Sequence, residues 1–200
     1  MTTATTARRA IFRAMLLVSI GPVISIFADE LPPLIGRPAS ITVAKPGQLS
    51  VSPSGDRLAL TDRFSNRIFI LDTRGNVLWS VSEGVTLNQP QAIFMSDAGT
   101  VVFSQWDSRL LFRVTESTPQ VIDTVVDLSE ALGVKARILR IVQRRDKSYL
   151  ILTDSPEQLM HFASDWTDPH VIAKGGSGKG KLYGSTACAE LPAGRLVVTG

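Results

Sequence analysis

The sequence predicts an all-β fold, a β-propeller of four-stranded antiparallel blades with about three and a half blades present. Three observations predict it. A pattern recurs at fixed spacing: Pro46 to Pro90 and Gly55 to Gly99 are both separated by 44 residues. Each period holds four short runs rich in β-branched and aromatic residues, and turn-forming residues separate neighbouring runs. Short strands about ten residues apart, four to a period of roughly 40–50, describe a propeller blade. A β-sandwich offers similar strands but no reason for the recurrence. The composition agrees: 200 residues, 44% hydrophobic and 20% charged, with 15 Gly, 11 Pro and one Cys. Such a chain is neither collagenous, nor stapled by disulfides, nor wholly disordered.

The amino terminus reads as an export signal. Residues 1–13 carry Arg8, Arg9 and Arg13 and no acid, Ala14 to Phe27 is apolar, and Ala28 precedes Asp29-Glu30. A basic stretch, an apolar run and a small residue describe a secretory signal peptide over 1–28, followed by a linker over 29–39. The apolar run of 14 residues falls short of the ~20 that span a bilayer. An uncleaved membrane anchor is the alternative to cleavage. Arg8-Arg9-Ala10-Ile11-Phe12-Arg13 is also compatible with twin-arginine export. No membrane span is expected after cleavage, and the mature chain is expected to be periplasmic or secreted.

Export changes the charge balance. The whole chain is +3, but cleavage after Ala28 leaves 172 residues with 18 basic and 18 acidic side chains. A neutral chain has no global field for phosphate backbones, so nucleic acid is not expected as a partner. Lys135, Arg137, Arg140, Arg144, Arg145 and Lys147 form a local cationic cluster without interleaved aromatics, expected on a solvated strand edge and turn. Cys188, the lone cysteine, is expected to be a buried, unreactive thiol.

The repeats follow in order as 46–89, 90–136, 137–181 and 182–200. In the first, strands are expected at about Gln48–Val51, Leu58–Thr61, Arg67–Leu71 and Val77–Val81. Ser54-Gly55-Asp56 and Thr73-Arg74-Gly75-Asn76 supply turns between neighbours. The second repeat runs Pro90 to Gly99, Val101 to Ser104 and Arg109 to Phe112. The third is looser, with Thr153-Asp154 lying 92 residues after Thr61-Asp62. Leu128 to Gly133 accounts for the extra length as a helical turn closed by glycine. The fourth turns at Pro192-Ala193-Gly194 and reaches Thr199.

Pro46, Leu49, Val51, Ser54, Gly55, Leu58, Asp62, Asn66, Arg67, Ile68 and Ile70 resemble the repeat of the NHL propellers and their bacterial six-bladed relatives. The loop Gly175 to Gly180 looks like their glycine-rich inter-blade connector. The second repeat departs at Gln105-Trp106, where the pattern has Asp, and the third lacks the leading Pro and the turn Gly. Ser52 to Ala59 also fits WD40-like periplasmic propellers. The resemblance implies about six blades, so the chain reads as a truncated product or fragment; a compact four-bladed ring is the alternative. Residues 40–43 would be the outermost strand of the blade that closes the ring.

Parity assigns the faces. In a four-strand meander the second-to-third loops and the inter-blade connectors share one face. Those segments are the longer ones here, and loops on a rigid scaffold carry binding groups. Arg63, Phe64, Trp106 and Lys179 are therefore the candidate binding residues. The structural alternative has Asp62, Asn66 and Arg67 closing the loop and Phe64 packing between blades. No catalytic residue, metal ligand set or cofactor is expected. His161 and His170 lack metal-ligand spacing, and Gly178-Lys179-Gly180 lacks the Ser or Thr and the helix of a phosphate loop. Lactonase-like propellers place Glu, Asn and Asp ligands on inner strands, but Leu49-Ser50-Val51 and Ala92-Ile93-Phe94 carry no acid, so such a site would depend on Glu190 or on blades not present in this chain. The expectation is a non-enzymatic exported scaffold for a protein, peptide or glycan. The alternative is a propeller enzyme, a metal-dependent lactonase, hydrolase or lyase, with its catalytic residues mostly in blades missing from this chain.

Overall fold

The computed structural model describes residues 41–81, 87–133 and 136–200. The expected signal peptide over 1–28 and linker over 29–39 lie outside the described residues, as do Ser40 and Lys135. Among the described residues no helix is long and apolar enough to cross a membrane.

Three four-stranded antiparallel sheets follow one another along the chain. The first holds β1 (Pro46–Val51), β2 (Arg57–Asp62), β3 (Arg67–Asp72) and β4 (Val77–Val81), in that spatial order. The second holds β5 (Pro90–Met95), β6 (Thr100–Gln105), β7 (Leu110–Thr115) and β8 (Thr118–Asp127). The third holds β9 (Ile138–Gln143), β10 (Tyr149–Thr153), β11 (Gln158–Phe162) and β12 (His170–Lys174). β13 (Ala187–Glu190) and β14 (Leu196–Thr199) pair as a fourth, two-stranded sheet. No described strand pairs between sheets; every ladder is a local meander. The short helix α1 (Leu128–Leu132) stands where extra length was expected, with Asp127 accepting from Ser129 N–H at 2.8 Å and Gly133 closing it at φ 66°.

The sheets stack face to face, and strand alternation explains how. Successive side chains on a strand point to opposite faces. Ile93 and Met95 pack with Ile68, Ile70 and Phe103 between the first two sheets. Ala92 and Phe94, from the same strand, pack with Ile151, Met160 and Phe162 between the second and third. Leu150 and Leu152 face the opposite way, toward Leu182, Leu196 and Val198. A strand buried on both faces needs apolar residues at consecutive positions, and β5 supplies them from Ala92 to Met95 and β10 from Tyr149 to Leu152. β5 lies between β1 and β9, which places the first strand of each sheet innermost.

The turns between first and second strands recur with the period. Gly55 and Gly99 sit at φ 77° and 74°, the left-handed region glycine enters without a Cβ penalty. The third copy lacks that glycine, and Lys147 takes the left-handed conformation instead at φ 72°. Asp146 supports this turn by accepting from Ser148 N–H at 3.0 Å.

Residues 41–43 form no strand, and no described strand lies beside them to make the ladder that the expected closing strand would need. The chain is instead tied down by Ala44 and Lys45, whose N–H groups donate to the Asp62 carboxylate at 2.8 and 3.0 Å. The cationic cluster is only partly solvated. Arg145 and Lys147 are exposed on the turn, but Arg137, Arg140 and Arg144 are half-buried, because the edge formed by β9 faces the interior of the stack.

Candidate functional site

The face formed by the second-to-third loops and the connectors is built on a repeated clasp. Arg63 N–H donates to Lys45 O at 2.9 Å, Trp106 N–H to Gln89 O at 3.0 Å, and Asp154 N–H to Arg137 O at 3.1 Å. Each bond ties the residue just after a second strand to the residue just before its own first strand. Arg63, Trp106 and Asp154 are thus equivalent positions of successive repeats, and their side chains emerge on one face.

Loop residues near them have structural work. Asp62 is buried and accepts from Phe64 N–H at 3.1 Å and Ser65 N–H at 3.3 Å, besides Ala44 and Lys45. Burial pushes its carboxyl up, but hydrogen bonds from Ser65, Ala44 and Lys45 outweigh that and hold it below the usual carboxylate range. Asn66, left-handed at φ 53°, accepts from Gln89 N–H at 2.7 Å. In the second repeat Gln105 takes over from Asp62 by accepting from Asn88 N–H.

The candidate residues are brought together in part. The Arg63 guanidinium lies 4.6 Å from the centre of the Trp106 ring, and the Arg137 guanidinium lies 4.5 Å from it. Three consecutive repeats therefore meet at one indole, two cations against one π-face system. Gly47 makes room for this: a Cβ there would overlap Thr61 Oγ1 and crowd Arg63 Cγ at 3.1 Å. Arg63 Nε is buried and has no hydrogen-bond partner among the described residues. Arg137 also pairs with Asp154, its Nε donating at 2.7 Å. Phe64 is 78% exposed, so it does not pack between blades.

Lys179 stands apart. Its connector folds on itself, with Gly176 N–H donating to Leu182 O at 3.0 Å and Lys181 N–H to Gly178 O at 3.2 Å. Glu157 anchors the base by accepting from Ser185 N–H at 2.5 Å. No described contact joins Lys179 to Arg63, Phe64 or Trp106. Tyr183, 88% exposed on the same connector, and Arg137 escaped the sequence reading. The only signal for Arg137 was its place in the cationic cluster.

Beside Trp106 lies an open cavity of about 320 Å³, lined by Asn88, Gln105, Asp107, Ser108 and Arg109 among others. Gln89 and Asp107 in and near it hold φ of 44° and 55°, a conformation that non-glycine residues adopt rarely. The face offers cations, an indole and amide groups. Among the described residues no three His, Cys, Asp or Glu side chains are grouped to hold a metal ion.

No family model matches the chain, and no curated protein does. Solved structures do. The virginiamycin B lyase of Staphylococcus aureus superposes with a TM-score of 0.54 at 14% identity, over 75% of this chain and 47% of that one. A streptogramin B lyase gives 0.57 at 12% identity, over 82% and 50%. The β-propeller domain of Cps50 (Swd1) from Myceliophteria thermophila gives 0.53 at 16% identity, over 75% and 46%. The fold is a β-propeller. The four sheets are its blades, three complete and one in part, and the chain spans about half the length of the propellers it matches.

Proposed function

We propose that this propeller is an exported, NHL-type binding scaffold whose loop face engages a protein, peptide or glycan, and that it is not an enzyme. The observation that carries this reading is the contact of Arg63 and Arg137 with Trp106, beside exposed Phe64. An indole flanked by guanidinium groups offers a stacking surface together with forked donors for carboxylate or hydroxyl oxygens, and Trp and Arg dominate recognition surfaces generally. The NHL assignment draws on the eleven residues from Pro46 to Ile70 that fit that repeat. A periplasmic or secreted location draws on the arginines and apolar run of residues 1–28.

The second reading is a propeller lyase or metal-dependent hydrolase. What favours it is the likeness to two streptogramin-type lyases, one of them also known as a catalytically inactive variant with quinupristin. At 12–16% identity that likeness concerns the fold.

Peptide and glycan arrays probed with the labelled protein test the proposal. Trp106→Ala and Arg63→Gln are expected to weaken any selective binding about tenfold or more, a loss of roughly 1.4 kcal/mol, with the fold intact by circular dichroism. Selective binding that both variants retain would contradict it, and so would stoichiometric metal with turnover of a lactone or streptogramin.

A further inference from the structure

The loop face uses only one member of the cationic cluster. Four others, Arg140, Arg144, Arg145 and Lys147, line a second cavity of about 530 Å³. It runs along the innermost strands β1, β5, β9 and β13 and reaches the turn between β9 and β10, away from the loop face. Its volume lies in the range of about 300–1,000 Å³ typical of small-molecule sites. Val51, Phe94 and Val142 supply apolar wall.

The charge on this cavity is one-sided. No Asp or Glu of the described residues lines it. Cys188, the one lining group that could turn anionic, has its thiol pushed up to about 11 by burial and stays neutral at neutral pH. Arg144 is already taken, by Glu190 at 3.0 Å and Asp146 at 3.2 Å. Arg140 is not: its Nε donates to Thr186 O at 3.2 Å, and no carboxylate pairs with it among the described residues. Burial pushes its pKa down, as expected for a charge drawn out of water without a counter-ion.

We propose that this axial cavity binds an organic anion, a carboxylate carried on an apolar body. The carboxylate sits against Arg140 and Lys147, and the body lies along Val51, Phe94 and Val142. A bare anion would leave the apolar wall wet, and an uncharged apolar molecule would leave Arg140 without a counter-ion. The site is separate from the loop face and stands without the scaffold reading above.

Calorimetric titration of the full chain with decanoate, and with decanol as its uncharged counterpart, tests the assignment. Decanoate is expected to bind at a single site at least about tenfold more tightly than decanol. Arg140→Gln and Lys147→Gln should each weaken it about tenfold, and Arg63→Gln should leave it unchanged. Lys147 is exposed on a turn, so that variant reports even where Arg140→Gln fails to fold. Absent binding, equal affinity for decanol, undiminished binding to Lys147→Gln, or loss in Arg63→Gln would overturn the proposal.

Discussion

Arg144 donates from both Nε and Nη2 to one oxygen of Glu190, at 3.1 and 3.0 Å, and so fastens the incomplete fourth blade to the third. The Arg145 N–H donates to the other oxygen of Glu190 at 2.8 Å. Both donors belong to the β9–β10 turn, and the acceptor ends β13. Glu190→Gln is expected to speed amide hydrogen exchange in β13 and β14 while leaving β1 to β8 unchanged. Uniform exchange rates in the variant would show that the contact holds nothing.

Acid should loosen the same joint and the first blade's loop together. The Arg145 N–H and the Arg144 guanidinium hold the Glu190 carboxyl below its ordinary range despite the opposing effect of burial. In Asp62, hydrogen bonds overcome burial to the same net end. A carboxyl depressed in the folded state contributes stability above its unfolded pKa and loses it as pH falls through the folded one. The urea midpoint should therefore hold steady above about pH 5 and fall below about pH 4, given unfolded values near 3.9 and 4.3. Asp62→Asn should flatten part of that acid limb. Parallel profiles for variant and parent would contradict the assignment.

Phe103 is fully buried between the first two blades and stacks on Phe112 with ring centres 5.7 Å apart. Phe103→Ala should cost about 3–5 kcal/mol by denaturant unfolding, from lost burial and the cavity left behind. A cost under about 1 kcal/mol would mean that the blades do not pack as described.

Trp106 can report on its own cations. With Trp79 and Trp166 replaced by Phe, its emission is isolated. Arg63→Met with Arg137→Met should then increase quenching by acrylamide and cost about 0.5–1 kcal/mol for each cation–π contact. Unchanged quenching would separate the guanidinium groups from the ring.

Cys188 is half-buried and its thiol is pushed up to about 11. Because the thiolate is the reactive form, labelling by a disulfide reagent at about pH 8 should run far slower than for an unperturbed thiol near 8.5. It should accelerate on unfolding. Immediate labelling of the native chain would contradict the burial.

The blade was legible because its signals are local. Turn residues such as Gly55 and Gly99 punctuate the apolar runs, and the first repeat's expected strands fall inside the observed ones, as Gln48–Val51 does inside Pro46–Val51. Parity then placed Arg63 and Trp106 on one face without coordinates. Arg137 was not legible, since its equivalents are Lys45 and Gln89 and no shared residue type marks the position. The cationic cluster is legible as a strand edge and turn without interleaved aromatics, but only the stacking of blades shows that the β9 edge looks inward. Lys179 was chosen by face alone, and its connector closes on itself.

Amide and methyl nuclear Overhauser contacts test the central claim most directly, that each repeat is its own sheet packed face to face on the next. Backbone contacts are expected within 46–81, 90–127, 138–174 and 187–199, with side-chain contacts such as Ile68 to Phe103 and Leu152 to Val198 or Leu196 joining neighbours. Backbone strand contacts between different repeats, β2 against β6 for example, would contradict the propeller and the faces derived from it.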